Sequence, residues 1–398
     1  MPIEFAAHRH PGIVPASRQA PSAIQSAPMT TTTGGPLSIL YVSARYPPFV
    51  GGTEIHTAEV ARRMVERGHQ VTVLTTAFEP MPTGEDVVEG VRVVRVRAHP
   101  AAMDLYYAPA VYPWIRNSTW DIMHCQGYHT FVAPLAMAAA IAAHQRFVVT
   151  FHSGGHSSVV RRLLRPAQQA LLRPMLKRAE RLIGVSKFET DFFRRRLRLD
   201  ESHFDTISNG VSPEFLDVDA ESADSHSLIC SVGRLERYKG HHKVIEALPA
   251  LRQLVPNVAL CIVGDGPYRP RLEALATALG VRDIVEFVVI DPRERRKMAE
   301  LFRSAKLITL LSEYESQGVV GLEAIAVGRP LLVADGTAMA ELGRFGEVSM
   351  VPPLADKHSL AALIALKLQE TSSPPRHLVP GWENTVDALE ALYREVLA

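Results

Sequence analysis

Cysteine is scarce in this chain of 398 residues: there are three, Cys125, Cys230 and Cys261, dispersed and set mostly in apolar runs. An odd, scattered set excludes a disulfide framework or a zinc-binding spacing and reads as buried thiols of a reducing compartment. Aromatic residues make up only 7%. The aliphatic residues that dominate instead suit buried parallel strands and the helices that cover them. Charge of one sign is also lacking. A formal net charge of +1 gives no global field to gather nucleic acid. Nor is there a long hydrophobic run: the most apolar helix-like stretch, Phe131–Ala143, is too short to span a bilayer and reads as a core helix. Residues 1–36, rich in Pro, Ala, Ser, Thr and Gln, have neither a core of their own nor the apolar segment of a signal peptide. They are expected to form a disordered leader, with Met29 as an alternative start.

From residue 37 onward, apolar strand-like runs alternate with helical patterns, which predicts α/β architecture with parallel sheets. In the first half these are Ser38–Ser43, a helix over Thr53–Arg67, then Val71–Thr75, Val91–Val96, Asp121–His124, Phe147–Phe151, Arg181–Val185 and a short strand before Asn209. Residues 212–227 are polar and acidic without periodicity, and read as a linker. The pattern then restarts with Leu228–Val232, a helix over His241–Leu254, Ala259–Val263, a helix over Tyr268–Leu279, Ile284–Val289, Leu307–Leu311 and Leu331–Ala334. A chain of this length holds two ordinary domains. The expected organisation is 37–211, linker 212–227, 228–381, and a last helix in 382–398.

The stretch from Glu315 through Ser316, Gln317, Gly318 and Val319 to Glu323 carries the most information. It places two carboxylates eight positions apart around a glycine, between the strand Leu307–Leu311 and a helix over Val319–Val327. A strand-to-helix loop offers unpaired N–H groups at the positive end of the helix dipole, a ready anion site. Were the segment wholly helical, the carboxylates would stand roughly 12 Å apart along the axis. That exceeds the about 5–9.5 Å of a glycosidase acid/base pair. It suits a ligand with polar groups at both ends and an anion between them, such as a nucleotide sugar.

Together with other segments, this stretch resembles the Glu-x7-Glu signature of family 4 retaining glycosyltransferases. The other segments are Pro47-Pro48-Phe49-Val50-Gly51-Gly52-Thr53-Glu54-Ile55-His56, Thr150-Phe151-His152, Gly184-Val185-Ser186, Ser208-Asn209-Gly210-Val211, Val232-Gly233-Arg234-Leu235 with Lys239-Gly240, and Val263-Gly264-Asp265-Gly266-Pro267. The resemblance covers about residues 37–398. It implies a GT-B fold: two doubly wound Rossmann-like domains facing across a cleft, an acceptor domain followed by a donor domain, with the C-terminal helix crossing back to the first. It implies a nucleotide-sugar donor and leaves the acceptor open.

The resemblance also assigns roles. Gly51 and Gly52 let backbone approach phosphate, and Gly264 and Gly266 belong to the donor loop. Arg234 offers a planar fork and Lys239 a point charge to the diphosphate; solvated surface cations are the plain alternative. His152 is placed over the donor sugar for positioning and transition-state polarisation, not as a nucleophile. Glu315 is to contact sugar hydroxyls, Gly318 and Val319 to donate backbone N–H, and Glu323 to bind ribose hydroxyls, whereas Glu313 is a more exposed decoy. Ser186, Asn209 and Gly210 support the site. One departure from the family stands out: where a Gly-Gly loop is usual, this chain has Thr337-Ala338-Met339-Ala340-Glu341.

Asp217-Val218-Asp219 has the form of a metal motif but lies in the linker, so no catalytic metal or other cofactor is expected. The segment from Arg161 to Arg198, basic and interleaved with Leu, fits either peripheral contact with an anionic membrane or a solvated basic face. Pro166 and Pro174 are expected to break it into pieces. The chain thus reads as a cytoplasmic retaining glycosyltransferase using a UDP- or GDP-sugar, either free or at the inner face of the membrane, with no nucleic-acid partner. The rivals are an inactive nucleotide-sugar-binding scaffold and a phosphorylase or epimerase. Glu313–Ala338 holds no lysine to anchor pyridoxal phosphate, which weakens the phosphorylase reading.

Overall fold

The protein was analysed as a computed structural model that describes residues 34–49, 51–78, 81–100, 105–153, 159–217, 227–370 and 379–398, and side chains in these apart from residues 159–164. The leader reading of residues 1–36 falls almost wholly outside the described residues, as do Val50, Gly154, Gly155, Val218 and Asp219.

The strands are β1 (Ser38–Ser43), β2 (Gln70–Thr76), β3 (Gly84–Val88), β4 (Val91–Val96), β5 (Ile122–Gln126), β6 (Phe147–Thr150), β7 (Arg181–Gly184), β8 (Phe204–Thr206), β9 (Ser227–Val232), β10 (Val258–Val263), β11 (Val285–Val288), β12 (Leu307–Leu310), β13 (Leu331–Ala334) and β14 (Val348–Val351). They form two sheets, ordered β3-β4-β2-β1-β5-β6-β7-β8 and β11-β10-β9-β12-β13-β14. Every described pairing is parallel except β3 with β4. Both sheets are doubly wound, so the chain reverses direction between β1 and β5 and again between β9 and β12. Ligands of such sheets bind in the crevice at the carboxyl ends of those strands.

The apolar runs explain the layering. Ile39, Leu40, Tyr41 and Val42 are all buried although they alternate between faces, because helices cover both sides. On one face of the first sheet, Leu40 and Val42 pack with Leu172, Leu176, Phe193 and Leu197 from the helices Val159–Leu176 and Lys187–Leu197. On the other, Ile39 and Tyr41 pack with Val60 and Met64 of helix Gly52–Glu66. That face is completed by Trp382, Val386, Leu389 and Tyr393 of helix Trp382–Leu397. The last helix therefore does return to the first sheet. In the second sheet, helices His241–Leu254 and Lys357–Gln369 cover one face and helices Arg295–Ser304 and Val319–Ala326 the other.

Several expectations need correction. Pro166 and Pro174 do not break the basic segment: one helix, Val159–Leu176, runs through both. Each proline removes a single donor and keeps a helical φ, and the buried Gln169, Leu172 and Leu176 hold the face down. The stretch read as an aperiodic linker opens with a helical turn, Pro213–Leu216, whose Phe215 is fully buried in the second unit's core. β3 was not anticipated because its residues Gly84, Glu85, Asp86 and Val87 are exposed, so no apolar pattern marks it.

Candidate active site

Loops after β9 and β12 meet at the reversal point of the second sheet. Gly233 (φ 144°) and Gly240 (φ 79°) take conformations that favour glycine. A Cβ on Gly240 would lie 2.1 Å from the carbonyl oxygen of Leu311, so glycine is required for the two loops to touch. Between them stand Arg234 and Lys239. The Lys239 Nζ donates to Glu315 Oε1 at 2.5 Å, and the Ser312 hydroxyl donates to the same oxygen at 2.9 Å. Burial alone would pull Lys239 down, but the adjacent Glu315 carboxylate holds it above the ordinary lysine range. Arg234 is half exposed; its fork reaches the Tyr238 hydroxyl at 3.1 Å and Glu236 at 3.2 Å. Gly264 and Gly266 have a packing reason of their own: a Cβ on either would sit 2.1 and 2.6 Å from the carbonyls of Gly233 and Leu235.

Gly318 (φ 74°) caps the helix Val319–Ala326, whose first N–H groups, those of Val319 and Val320, have no intrahelical acceptor. Glu315 precedes this helix and is half-buried, and Glu313 is the more exposed of the two, as expected. Glu323 is 3% exposed and paired with Arg295, whose guanidinium stacks over Phe215 at 4.8 Å. Burial pushes the Glu323 carboxyl up despite that pairing. The residues that replace the usual Gly-Gly loop brace this segment. Met339 fills the space beside Gly318 and Gly321, and Ala338 N–H donates to Glu315 O at 3.3 Å. The Glu341 carboxylate accepts from the backbone N–H groups of Lys187 and Phe188 at 3.1 and 2.5 Å, across the cleft.

On the facing side His152 lies two residues past the end of β6, with φ 45°, and is buried. Its Nε2 lies 2.7 Å from Gln126 Oε1, an acceptor, so Nε2 carries the proton. Burial, reinforced by the neighbouring histidines, pulls its pKa well down. His152 is therefore a neutral imidazole whose Nδ1 can accept a hydroxyl, not a cation. His56 stands edge-on to it, ring centroids 4.5 Å apart, and reaches Asn209 Oδ1 through Nδ1 at 2.6 Å. Burial lowers His56 to about 4. Gly51 precedes helix Gly52–Glu66, and a Cβ on Gly52 would meet no protein atom within 4 Å. Packing therefore does not impose glycine at 52, consistent with space kept for a ligand. A Cβ on Gly210 would lie 2.2 Å from Trp382 N, so Gly210 seats the last helix. Ser186 caps helix Lys187–Leu197 and donates to Ser316 O at 2.5 Å. Among the described residues, no group of three or more His, Cys, Asp or Glu is placed to hold a metal, and no helix is long and apolar enough to cross a membrane. Cys125, Cys230 and Cys261 are buried free thiols.

Residues 50–215 match the sequence profile described as Glycosyltransferase Family 4, and residues 214–377 that of Glycosyl transferases group 1. The chain belongs to glycosyltransferase family 4. A phosphatidyl-myo-inositol mannosyltransferase of Mycobacterium leprae is 28% identical to this glycosyltransferase over 346 residues, 84% of this chain and 88% of that protein. An uncharacterized glycosyltransferase of Methanocaldococcus jannaschii is 28% identical over 332 residues, 77% and 82% of the two chains. The fold is that of sucrose-phosphate synthase from Thermosynechococcus elongatus, at a TM-score of 0.70 and 20% identity over 90% of this chain and 98% of the other. An Anabaena protein solved with UDP and glucose matches at 0.67 and 18%, over 91% and 97%. The GT-B architecture implied by the motifs is thus the observed one.

Sequence reasoning missed four contributors to this glycosyltransferase's site: Arg295 beneath Glu323, Gln317, Tyr314 and Glu189. Glu189 is buried; it accepts from Ser153 N–H at 2.6 Å and Val185 N–H at 2.9 Å, and from the Ser153 hydroxyl. Burial pushes its carboxyl up to about 7. The spacing Ser186-x-x-Glu189 has the form of a capping box, a local signal that goes unused in the sequence reading. Nothing local marked the others, which act on partners distant in sequence.

Proposed function

We propose that this enzyme is a retaining glycosyltransferase that moves a sugar from a UDP- or GDP-sugar to an acceptor hydroxyl. The observation that carries this reading is the Lys239–Glu315 pair beside Arg234 at the reversal point of the second sheet, next to the open N-terminus of helix Val319–Ala326. Arg234, Lys239 and the N–H groups of Gly318 and Val319 take the diphosphate, and Gly51, Gly52, Gly264 and Gly266 let backbone come close to the donor. Glu315 takes the sugar hydroxyls and Glu323, steadied by Arg295, the ribose. His152 accepts a sugar hydroxyl at Nδ1. As the anomeric C–O bond breaks, negative charge gathers on the diphosphate, and the fixed cations stabilise it more than the ground state. The acceptor oxygen bonds to the anomeric carbon from the same face, its proton passing to the departing phosphate oxygen. Glu189 is no nucleophile here, because its oxygens are already engaged by Ser153 and Val185.

The UDP held by the Anabaena relative supports a nucleotide-sugar donor. Arg234 and Lys239 stand in for a metal, so no metal is assigned. The buried thiols support a cytoplasmic setting. The exposed Leu171, at 78%, beside exposed Arg173, Lys177 and Arg178 supports contact with an anionic membrane. The test is turnover of UDP- and GDP-sugars, with and without EDTA, after a thermal-shift screen in which the right nucleotide raises stability. Turnover that survives chelation fits. Nucleotide binding without any donor cleavage would identify a binding scaffold instead, and loss on chelation restored by manganese would reinstate a metal.

A further inference from the structure

The loop that carries Glu315 is tied to the facing domain on both sides of that residue. Tyr314 OH lies 2.6 Å from the Ser153 hydroxyl, Ser316 O accepts from Ser186 at 2.5 Å, and Gln317 Oε1 accepts from Asn209 N–H at 2.8 Å. The three partners follow β6, β7 and β8, so one short loop reads the carboxyl ends of three successive strands. Gln317 differs from its neighbours because its contact is to a branching residue. Asn209 receives the His56 Nδ1 proton on its side chain while its backbone N–H goes to Gln317, and His56 packs edge-on against His152. Gln317 is 3% exposed. No water competes for that N–H, and loss of the acceptor leaves it unpaired in the interior.

We propose that Gln317 is a positioning residue: through Asn209 and His56 it sets the placement of the Glu315 loop relative to His152. Its Oε1 is taken by Asn209, so its contribution is assigned to the chemical step and not to nucleotide binding. This rests on the donor-site reading given above for Glu315 and His152.

The experiment compares Gln317→Met, which keeps length but loses the acceptor, with Gln317→Asn, which keeps the amide but falls short, and Gln317→Glu, which keeps an acceptor oxygen at the same reach. Removing a buried hydrogen-bond acceptor predicts a fall in kcat of about tenfold or more for the first two. Donor KM and the Kd for the free nucleoside diphosphate stay near the parent's for Gln317→Met and Gln317→Asn, and Gln317→Glu recovers most of the loss when assayed at acid pH, where its buried carboxyl is protonated and neutral. A purely structural role would instead lower stability and nucleotide affinity together, with no recovery by Glu. Should Gln317→Met fail to fold, the smaller Gln317→Asn carries the comparison. Unchanged kcat in both, beside an active parent, overturns the inference and leaves the functional reading standing. A parent that cleaves no nucleotide sugar refutes the functional reading and this inference with it.

Discussion

Arg295→Met tests the account of the buried carboxylate in helix Val319–Ala326. The Glu323 side chain is 4% exposed and that of Arg295 17%, so the pair is shielded from water. Removing one partner of a buried pair typically costs about 3–5 kcal/mol, because the other charge is left uncompensated. Arg295 keeps some solvent access, which puts the expected cost near the lower end, about 3 kcal/mol. For a domain of this size each kcal/mol moves Tm by about 2–4 °C, so a drop of about 6–12 °C is expected at neutral pH. The deficit has a direction in pH. Burial already raises the Glu323 carboxyl, and without the guanidinium it rises further. The destabilisation therefore shrinks as the solution is acidified and the group takes up a proton, and grows as pH rises. Glu323→Gln introduced beside Arg295→Met should return much of the lost stability, since a neutral amide needs no counter-charge. Differential scanning of the parent, both single variants and the double variant completes the cycle. A single-variant shift under about 2 °C, or a double variant no better than Arg295→Met alone, would refute the reasoning.

Arg234→Ala and Lys239→Ala should each lower turnover by about 10²–10³ at saturating donor, the usual loss for one charge-stabilising group; Tm stays close to the parent's for the half-exposed Arg234, whereas Lys239→Ala also strips the shielded Glu315 of its partner and lowers Tm by a few degrees. Near-normal turnover in either would remove that residue from the site. Glu189, raised in the folded protein to about 7, stabilises the fold most at low pH. That contribution is lost as pH rises from about 4.5 to about 7, by about 3 kcal/mol in all. Tm should therefore fall across that window more steeply in the parent than in Glu189→Gln, and equal slopes would contradict the assignment. If the basic helices meet membranes, the protein should sediment with vesicles containing anionic lipid, lose that binding at high salt and with Leu171→Glu, and ignore neutral vesicles.

Periodicity made the α/β frame legible. Ser38–Ser43, Val91–Val96, His241–Leu254 and Leu331–Ala334 occur within the limits expected from their apolar runs. Some of what went unread was signalled locally. Asp356 accepts from His358 N–H at 2.9 Å and Ser359 N–H at 2.8 Å and so starts helix Lys357–Gln369 in the manner of any acidic N-cap. Other features had no local signal. The helix Arg295–Ser304 opens on Arg295, Arg296 and Lys297 and looks like surface, yet Arg295 is there for a carboxylate 28 residues away. The neutrality of His152 depends on burial and on the neighbouring His56, His124 and His129, none of which is visible in Thr150-Phe151-His152. Motifs mark which residues gather at the cleft, but long-range contacts set their protonation and bracing.

The return of helix Trp382–Leu397 has a consequence for biosynthesis. Its Tyr393 hydroxyl bonds the Tyr41 hydroxyl at 3.0 Å and His124 at 2.5 Å, deep in the first sheet. Its Glu383 and Glu390 hold Arg63 and Arg67. A ribosome that has finished the first sheet has therefore not finished its domain: the face awaiting Trp382, Val386 and Leu389 stays bare until the last residues are translated. Newly made amino-terminal segments should thus be clients for chaperones that bind exposed aliphatic surface, whereas the second sheet, whose covering helices lie between Pro213 and Gln369, can close before the last helix is made.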